Sequence, residues 1–506
     1  MSIAPDFSSF EARYEAGEPQ LVWTDLVADL ETPVSAYLKL AHGKPMSFLL
    51  DSVEGGAFRG RYSIIGLKPD LIFRARGDQA EINRKARFEA EAFEPIKGGT
   101  LSALRGLVNE CRIDLPAELP AMAAGLFGYM AYDTVRLMED LPNPNPDPLG
   151  LPDCQFVRPT IVAIFDSVFD KVSIITPVWP EAGVSARAAY ARAGERLSDT
   201  VADFDRALPR PAVQGEDAAS TAEITSNTTK DEYFAMVEKA KEYIRAGDIF
   251  QVVPSQRFAR PFALPPFELF RALRRTNPSP YMYFLDFGEF QVAGSSPEIL
   301  VEVKGSRVVI RPIAGSRPRG KTPEEDRANE QSLLADPKEL SEHLMLLDLG
   351  RNDVGRVAQI GSVEVTDQFF IEHYSQIMHI VSNVEGELRP DFDGLQALIA
   401  GFPAGTVSGA PKVRAMEIID ELEKEKRGIY AGGIGYFAAQ GDMDTAIALR
   451  TGIIKDGMLY VQAGGGVVAD SNPQYEYDET VHKARAVFRA AEEAERLWDG
   501  SSNSRS

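Results

Sequence analysis

Residues 444–466, DTAIALRTGIIKDGMLYVQAGGG, read as two strands joined at Asp456-Gly457, a dipeptide that suits a tight hairpin turn. A hairpin joins neighbouring antiparallel strands, whereas a parallel sheet needs a helical crossover of a dozen or more residues. A second hairpin is expected over residues 161–176, IVAIFDSVFDKVSIIT, where two β-branched and aromatic runs flank a polar turn. Helices are expected at 34–43 and 101–110, and strands at 47–52, 62–67 and 70–75. Because the elements follow in mixed order without regular βα alternation, the expected fold class is α+β. Large mixed or antiparallel sheets would form a sandwich-like core flanked by helices.

The chain has 506 residues, more than one hydrophobic core ordinarily serves, so two lobes are expected. Residues 206–228 are rich in Pro, Ala, Ser, Thr and Asp and lack an apolar period, which reads as a linker. It would separate an N-terminal lobe, 1–205, from a catalytic lobe, 229–490, with a tail at 491–506. Directly after the linker, Thr229 and Glu232 form a capping-box pattern ahead of the stripe Tyr233, Val237, Ala240 and Ile244, and Gly247 ends it. A strand over 249–258 should follow.

Within the opening hairpin, period-2 alternation places Arg450 on the face of Ala446 and Ala448. An exposed arginine is the ordinary alternative, yet small neighbours leave room for a carboxylate clamped by the guanidinium. Gly464, Gly465 and Gly466 would let a ligand rest on the opposite backbone. In residues 402–417, FPAGTVSGAPKVRAME, glycines lead into Pro411 and Lys412 at a helix start, so free N–H groups, a helix dipole and a lysine suggest an anion site beside Thr406. It lacks the Walker A order. Glu339 with Glu342, and Glu476 with Glu479, sit three apart in helical patterns. Such pairs are usually solvated surface; facing each other they would make an oxygen-only site for Mg²⁺. Glu298 and His379 are the candidates for proton transfer.

With 54 Lys+Arg against 75 Asp+Glu, the net charge of −21 repels polyanions and argues against nucleic acid. A small anionic substrate would need a locally positive pocket or a metal. The two cysteines, Cys111 and Cys154, offer neither a disulfide framework nor a zinc site. No basic start followed by an apolar run is present, and no apolar stretch reaches membrane-spanning length, so a cytoplasmic protein is expected.

PIAGSRPRG (312–320), DPKELSEHLMLLDLGRNDVGR (336–356), the 405–423 segment and QAGGGVV (462–468) together resemble the chorismate-utilising family, anthranilate synthases among them. The resemblance is dense over 228–490. It implies chorismate contacts at Gly315, Ser316, Thr406, Tyr430, Arg450, Gly464 and Gly466, and Mg²⁺ held through Glu342 and Glu479 with Glu339 and Glu476 nearby. It further implies that Glu298 is the acid for loss of the ring hydroxyl and that His379 serves the later elimination of pyruvate.

Isochorismate and salicylate synthases resemble one another in a water-activating lysine where Gln251 stands here, and aminodeoxychorismate synthases carry a lysine where Ala314 stands. These choices favour anthranilate formation from ammonia, with aminodeoxychorismate synthesis as the alternative. LLDSVEGG (49–56) and NPSPYMYF (277–284) resemble a tryptophan-feedback pocket contacted by Ser52, Pro280, Tyr281 and Met282. Asp51 replaces the usual Glu there. The chain carries no glutaminase motif, so the resemblance implies a separate glutamine amidotransferase subunit, with a heterotetramer expected.

Overall fold

The computed structural model describes residues 2–52, 60–208, 223–374 and 377–503, without the side chains of 499–503. Among them, one antiparallel hydrogen-bonded network joins 21 strands, with helices packed on its faces. The mixed element order therefore resolves into the expected α+β architecture, and antiparallel pairing is what the hairpins require.

Strands from the two halves of the chain pair directly. Ser47–Asp51 lies against Tyr281–Asp286, and Gly125–Met130 against Gly433–Ala438. The three largest cores likewise mix both halves: Leu49 packs with Phe284 and Leu459, Phe73 with Leu398 and Met443, and Phe127 with Val292 and Ile453. Of the expected linker, 209–222 lies outside the described residues, and Thr225–Ser226 already pairs with Ala259 and Phe258.

Local signals behave as their chemistry demands. Thr229 accepts from the Glu232 N–H at 3.3 Å while Glu232 accepts from the Thr229 N–H at 2.7 Å, and the helix Lys230–Ala246 closes on Gly247 at φ 84°. The strands Cys154–Asp166 and Lys171–Val178 form the second hairpin.

Three expectations shift. The runs 62–67 and 70–75 belong to one strand, Tyr62–Arg76, whose register slips between Pro69 and Leu71 beside Lys68 at φ 53°. The strand expected over 249–258 is broken: Gln251–Val252 pairs with Gly409–Ala410, and Ser255–Pro261 pairs elsewhere, with Met458–Gly464. The last helix, Pro473–Asn503, continues past 490, anchored by buried Glu495, which accepts from Arg260 at 2.7 Å.

Candidate active site

The alternation read through residues 446–450 does not hold. The strand Met443–Ile447 ends, Arg450 takes φ 48°, and pairing resumes at Thr451–Lys455. A non-glycine residue in the left-handed region costs on the order of 1 kcal/mol, and such outliers gather at functional sites. The turn carries the guanidinium inward, where burial depresses its pKa and Tyr374 and Glu298 oppose that shift. No ion-pair partner reaches Arg450 among the described residues. A half-buried guanidinium without an ion pair is a receptor for a carboxylate.

Glu298 follows the strand Phe290–Ser296 and is 7% exposed. Thr406, in the turn Gly405–Val407, donates its hydroxyl to Glu298 Oε1 at 2.9 Å. Burial pushes the carboxyl up to about 8, and the Thr406 hydrogen bond only partly opposes it. Glu298 is therefore mainly protonated at neutral pH.

His379 lies in the strand Ile377–Glu387 opposite Ser316. The partner strand Ile313–Pro318 bulges at Gly315, φ 80°, which turns the Gly315 carbonyl to His379 Nδ1 at 3.2 Å. A carbonyl only accepts, so Nδ1 carries the proton and Nε2 keeps a lone pair. Nε2 is buried and has no hydrogen-bond partner among the described residues. Burial, then Arg450, lowers the imidazole to about 4, so it is neutral at pH 7. A Cβ at Gly315 would stand 3.0 Å from Glu339 Oε2, a second reason for glycine there.

Gly464 ends the strand Met458–Gly464. A Cβ on it would meet the Tyr430 hydroxyl at 2.8 Å and the Pro254 carbonyl at 2.9 Å, so the backbone comes as close as glycine alone allows. Gly465 faces Glu476 and Gly466 faces Gln251 and Glu342. The glutamate pairs lie on the helices Pro337–Gly355 and Pro473–Asn503; Glu342 and Glu476 reach this glycine run, whereas Glu339 pairs with Arg317 at 2.8 Å. Burial raises the pKa of Glu342, aided by Glu339 and Glu479, and burial and Glu479 raise that of Glu476 to about 7. Mutual repulsion of this kind suits a hard divalent cation. Among the described residues no group of three or more His, Cys, Asp or Glu side chains is placed to hold a metal ion. An open site with one or two carboxylates is what Mg²⁺ uses.

Lys412 departs from the expected role. Its ammonium donates to Asp353 at 2.8 Å in a buried pair, so it serves the packing of the helix Lys412–Leu422 rather than presenting charge to a ligand. The four expected tryptophan contacts lie at one seam but divide between its faces. Ser52 donates to the Pro280 carbonyl at 3.0 Å, Met282 is buried with Leu49 and Phe284, and Tyr281 turns to half-buried Asp444. Residues 53–56 of LLDSVEGG lie outside the described residues, as do 375–376 beside His379.

Several participants were not anticipated. Gln251 donates to Glu342 Oε1 at 3.0 Å and so fixes one carboxylate of the cluster. Lys483 bridges Glu479 at 2.6 Å and the Gly464 carbonyl at 3.0 Å; its spacing of four from Glu479 was a legible signal. Tyr374 packs edge-on to His379 with ring centroids 5.5 Å apart. Arg427 is 3% exposed and donates to the Val407 and Val253 carbonyls at 2.6 Å each, tying the Thr406 turn to the Gln251 strand.

Comparison with known proteins accords with this geometry. The family described as chorismate binding enzyme matches residues 57–489. Anthranilate synthase component 1 of Cereibacter sphaeroides is 61% identical over 488 residues, covering 96% of this chain and 97% of the relative. The Pseudomonas putida protein of the same description is 49% identical, with 93% and 95% covered. The crystal structure of anthranilate synthase component I from Streptococcus pneumoniae superposes with a TM-score of 0.74 at 36% identity, covering 92% of this chain and 98% of that one. No helix among the described residues is long and apolar enough to cross a membrane. With the family model spanning residues 57–489 and a relative 61% identical over 96% of this chain, the chain belongs to the chorismate-binding enzyme family.

Proposed function

We propose that the chain is the large subunit of an anthranilate synthase, converting chorismate and ammonia to anthranilate, pyruvate and water for tryptophan synthesis in the cytoplasm. The observation that carries this reading is Glu298, a carboxyl that keeps its proton at neutral pH while held by Thr406. Arg450, Tyr430 and the Gly464–Gly466 backbone hold the substrate's carboxylates. Ammonia forms a bond to the ring carbon beside the carboxylate-bearing one. The C4–O bond breaks, and Glu298 delivers the proton that lets the oxygen leave as water. The ammonium so formed returns a proton to Glu298. His379 Nε2 then takes the ring proton at the carbon that gained nitrogen, the C3–O bond breaks as the ring becomes aromatic, and the leaving enolpyruvate takes that proton to become pyruvate.

Mg²⁺, held by Glu342 and Glu479 with Glu339 and Glu476 close by, would supply positive charge to the substrate's carboxylate. The amide of Gln251 has no lone pair basic enough to activate water, which supports ammonia as nucleophile. Ammonia comes from a glutamine amidotransferase subunit, in a heterotetramer, and L-tryptophan inhibits through the Ser52–Pro280 seam. The test is nitrogen source: the chain alone forms product from ammonium but not from glutamine, and glutamine becomes active when an amidotransferase subunit is added. Product from glutamine with the chain alone would reject the two-subunit reading.

A further inference from the structure

A second cavity, of about 360 Å³, opens in the N-terminal half and shares no lining residue with the candidate active site. That volume lies in the range of small-molecule pockets. Its walls come from the segment after the strand Gln79–Asn83, from the strands Cys154–Asp166 and Lys171–Val178, and from the helix Ala186–Phe204. Six cations line it, Arg84, Lys85, Arg87, Arg158, Arg192 and Arg196, against the carboxylates of Asp70 and Glu181. Such a concentration of positive charge in a chain of net charge −21 focuses an attractive field for anions into one cleft.

Some of these cations are already neutralised. Arg158 holds Asp70 at 2.8 and 3.0 Å while stacking 4.0 Å from the Trp179 ring centroid, and Arg84 holds Glu110 outside the cleft at 2.6 Å. Others are not. Half-buried Arg196 donates to the Thr176 hydroxyl at 2.8 Å and the Pro177 carbonyl at 3.5 Å, both neutral, and it has no ion pair among the described residues. Burial and the like charge of Arg87 both depress its pKa. Lys85 and Arg87 also lack ion pairs among the described residues, and Arg192 reaches Glu181 only at 3.8 Å. Trp179 adds an indole N–H that is buried without a hydrogen-bond partner among the described residues. The half-buried Arg196 guanidinium and the buried indole N–H carry a desolvation cost that a bound oxyanion would offset, and exposed Lys85 and Arg87 add attraction at the mouth.

We propose that this cleft binds a small oxyanion carrying two or more negative charges, a phosphate ester or a polycarboxylate, with Arg196, Arg87, Lys85 and the Trp179 indole as its principal donors. Phe88, 83% exposed at the lip, gives such a ligand an apolar surface to lie against.

The test is titration of the full chain, in buffer freed of divalent cations over a chelating resin and at constant ionic strength, with inorganic pyrophosphate, citrate and, as the singly charged control, acetate. Calorimetry and tryptophan emission are the readouts. The proposal expects saturable binding of pyrophosphate or citrate at one site per chain, far tighter than acetate, and the stronger of the two assigns phosphate or polycarboxylate chemistry. The exposed double variant Lys85→Gln/Arg87→Gln, which leaves the core untouched, should weaken it at least about tenfold. Trp179→Phe should abolish the emission change while heat of binding persists. Absence of saturable binding beyond acetate, or affinity unchanged in the double variant, would each overturn it. None of these readouts uses catalytic activity, so failure here leaves the chorismate reading intact.

Discussion

The Thr406 hydroxyl donates to Glu298 Oε1 at 2.9 Å, from a turn 108 residues further along the chain. The carboxyl is buried and its pKa lies near 8 despite that hydrogen bond, so desolvation outweighs the one interaction that favours charge. A carboxylic acid that stays protonated at pH 7 can give its proton to a leaving hydroxyl.

Glu298→Gln keeps the shape and removes the transferable proton. Turnover should fall by about 10²–10⁴-fold with little change in the KM for chorismate. A variant that loses affinity and keeps kcat would assign Glu298 to binding.

The same shift makes a stability prediction. The folded-state pKa of about 8 lies above the ordinary carboxyl value of 4.5, so the folded form holds the proton more tightly than the unfolded chain. Its contribution is complete below pH 4.5 and is lost as pH rises through 8. Thermal melts should show Glu298→Gln gaining on the native chain between pH 5 and 8.5. A melting difference that does not vary with pH would contradict the assigned protonation.

Gln251 donates to Glu342 at 3.0 Å inside a cluster where repulsion between carboxylates already raises pKa values. Gln251→Lys would set a permanent cation among them. The Mg²⁺ concentration for half-maximal activity should rise by roughly tenfold or more, since the ammonium and the metal compete for the same charge. An unchanged Mg²⁺ dependence would remove these glutamates from the metal site.

Ser52 bonds the Pro280 carbonyl at 3.0 Å, and neighbouring Asp51 is held by Arg274 and Ser63 at 2.6 Å each. Because Asp51 is already saturated, inhibition should depend on Ser52. Ser52→Ala should raise the half-inhibitory tryptophan concentration by about tenfold and leave uninhibited kcat alone, a single lost polar contact being worth roughly 1–2 kcal/mol. An unchanged inhibition curve would place the pocket elsewhere.

Much of this site was legible where the signal is local. The Thr229–Glu232 cap, the Asp456-Gly457 turn and the three-residue spacing of the glutamates are contained in a few consecutive residues, and backbone chemistry enforces them. The sequence reading failed where the deciding partner is distant. Lys412 is drawn to Asp353, 59 positions away, and period-2 counting could not register the left-handed turn at Arg450 that redirects its guanidinium. Gln251 was read through what it replaces; its bond to Glu342 exists only once two helices and a broken strand have packed. The approach of Glu476 to Gly465 and of Glu342 to Gly466 is likewise a property of the tertiary fold.

The most direct measurement is the product formed when the purified chain is incubated with chorismate, Mg²⁺ and an ammonium salt. The account predicts anthranilate, seen by its fluorescence and mass, with one pyruvate released per anthranilate. Isochorismate, a para-amino product, or no product under these conditions would contradict it.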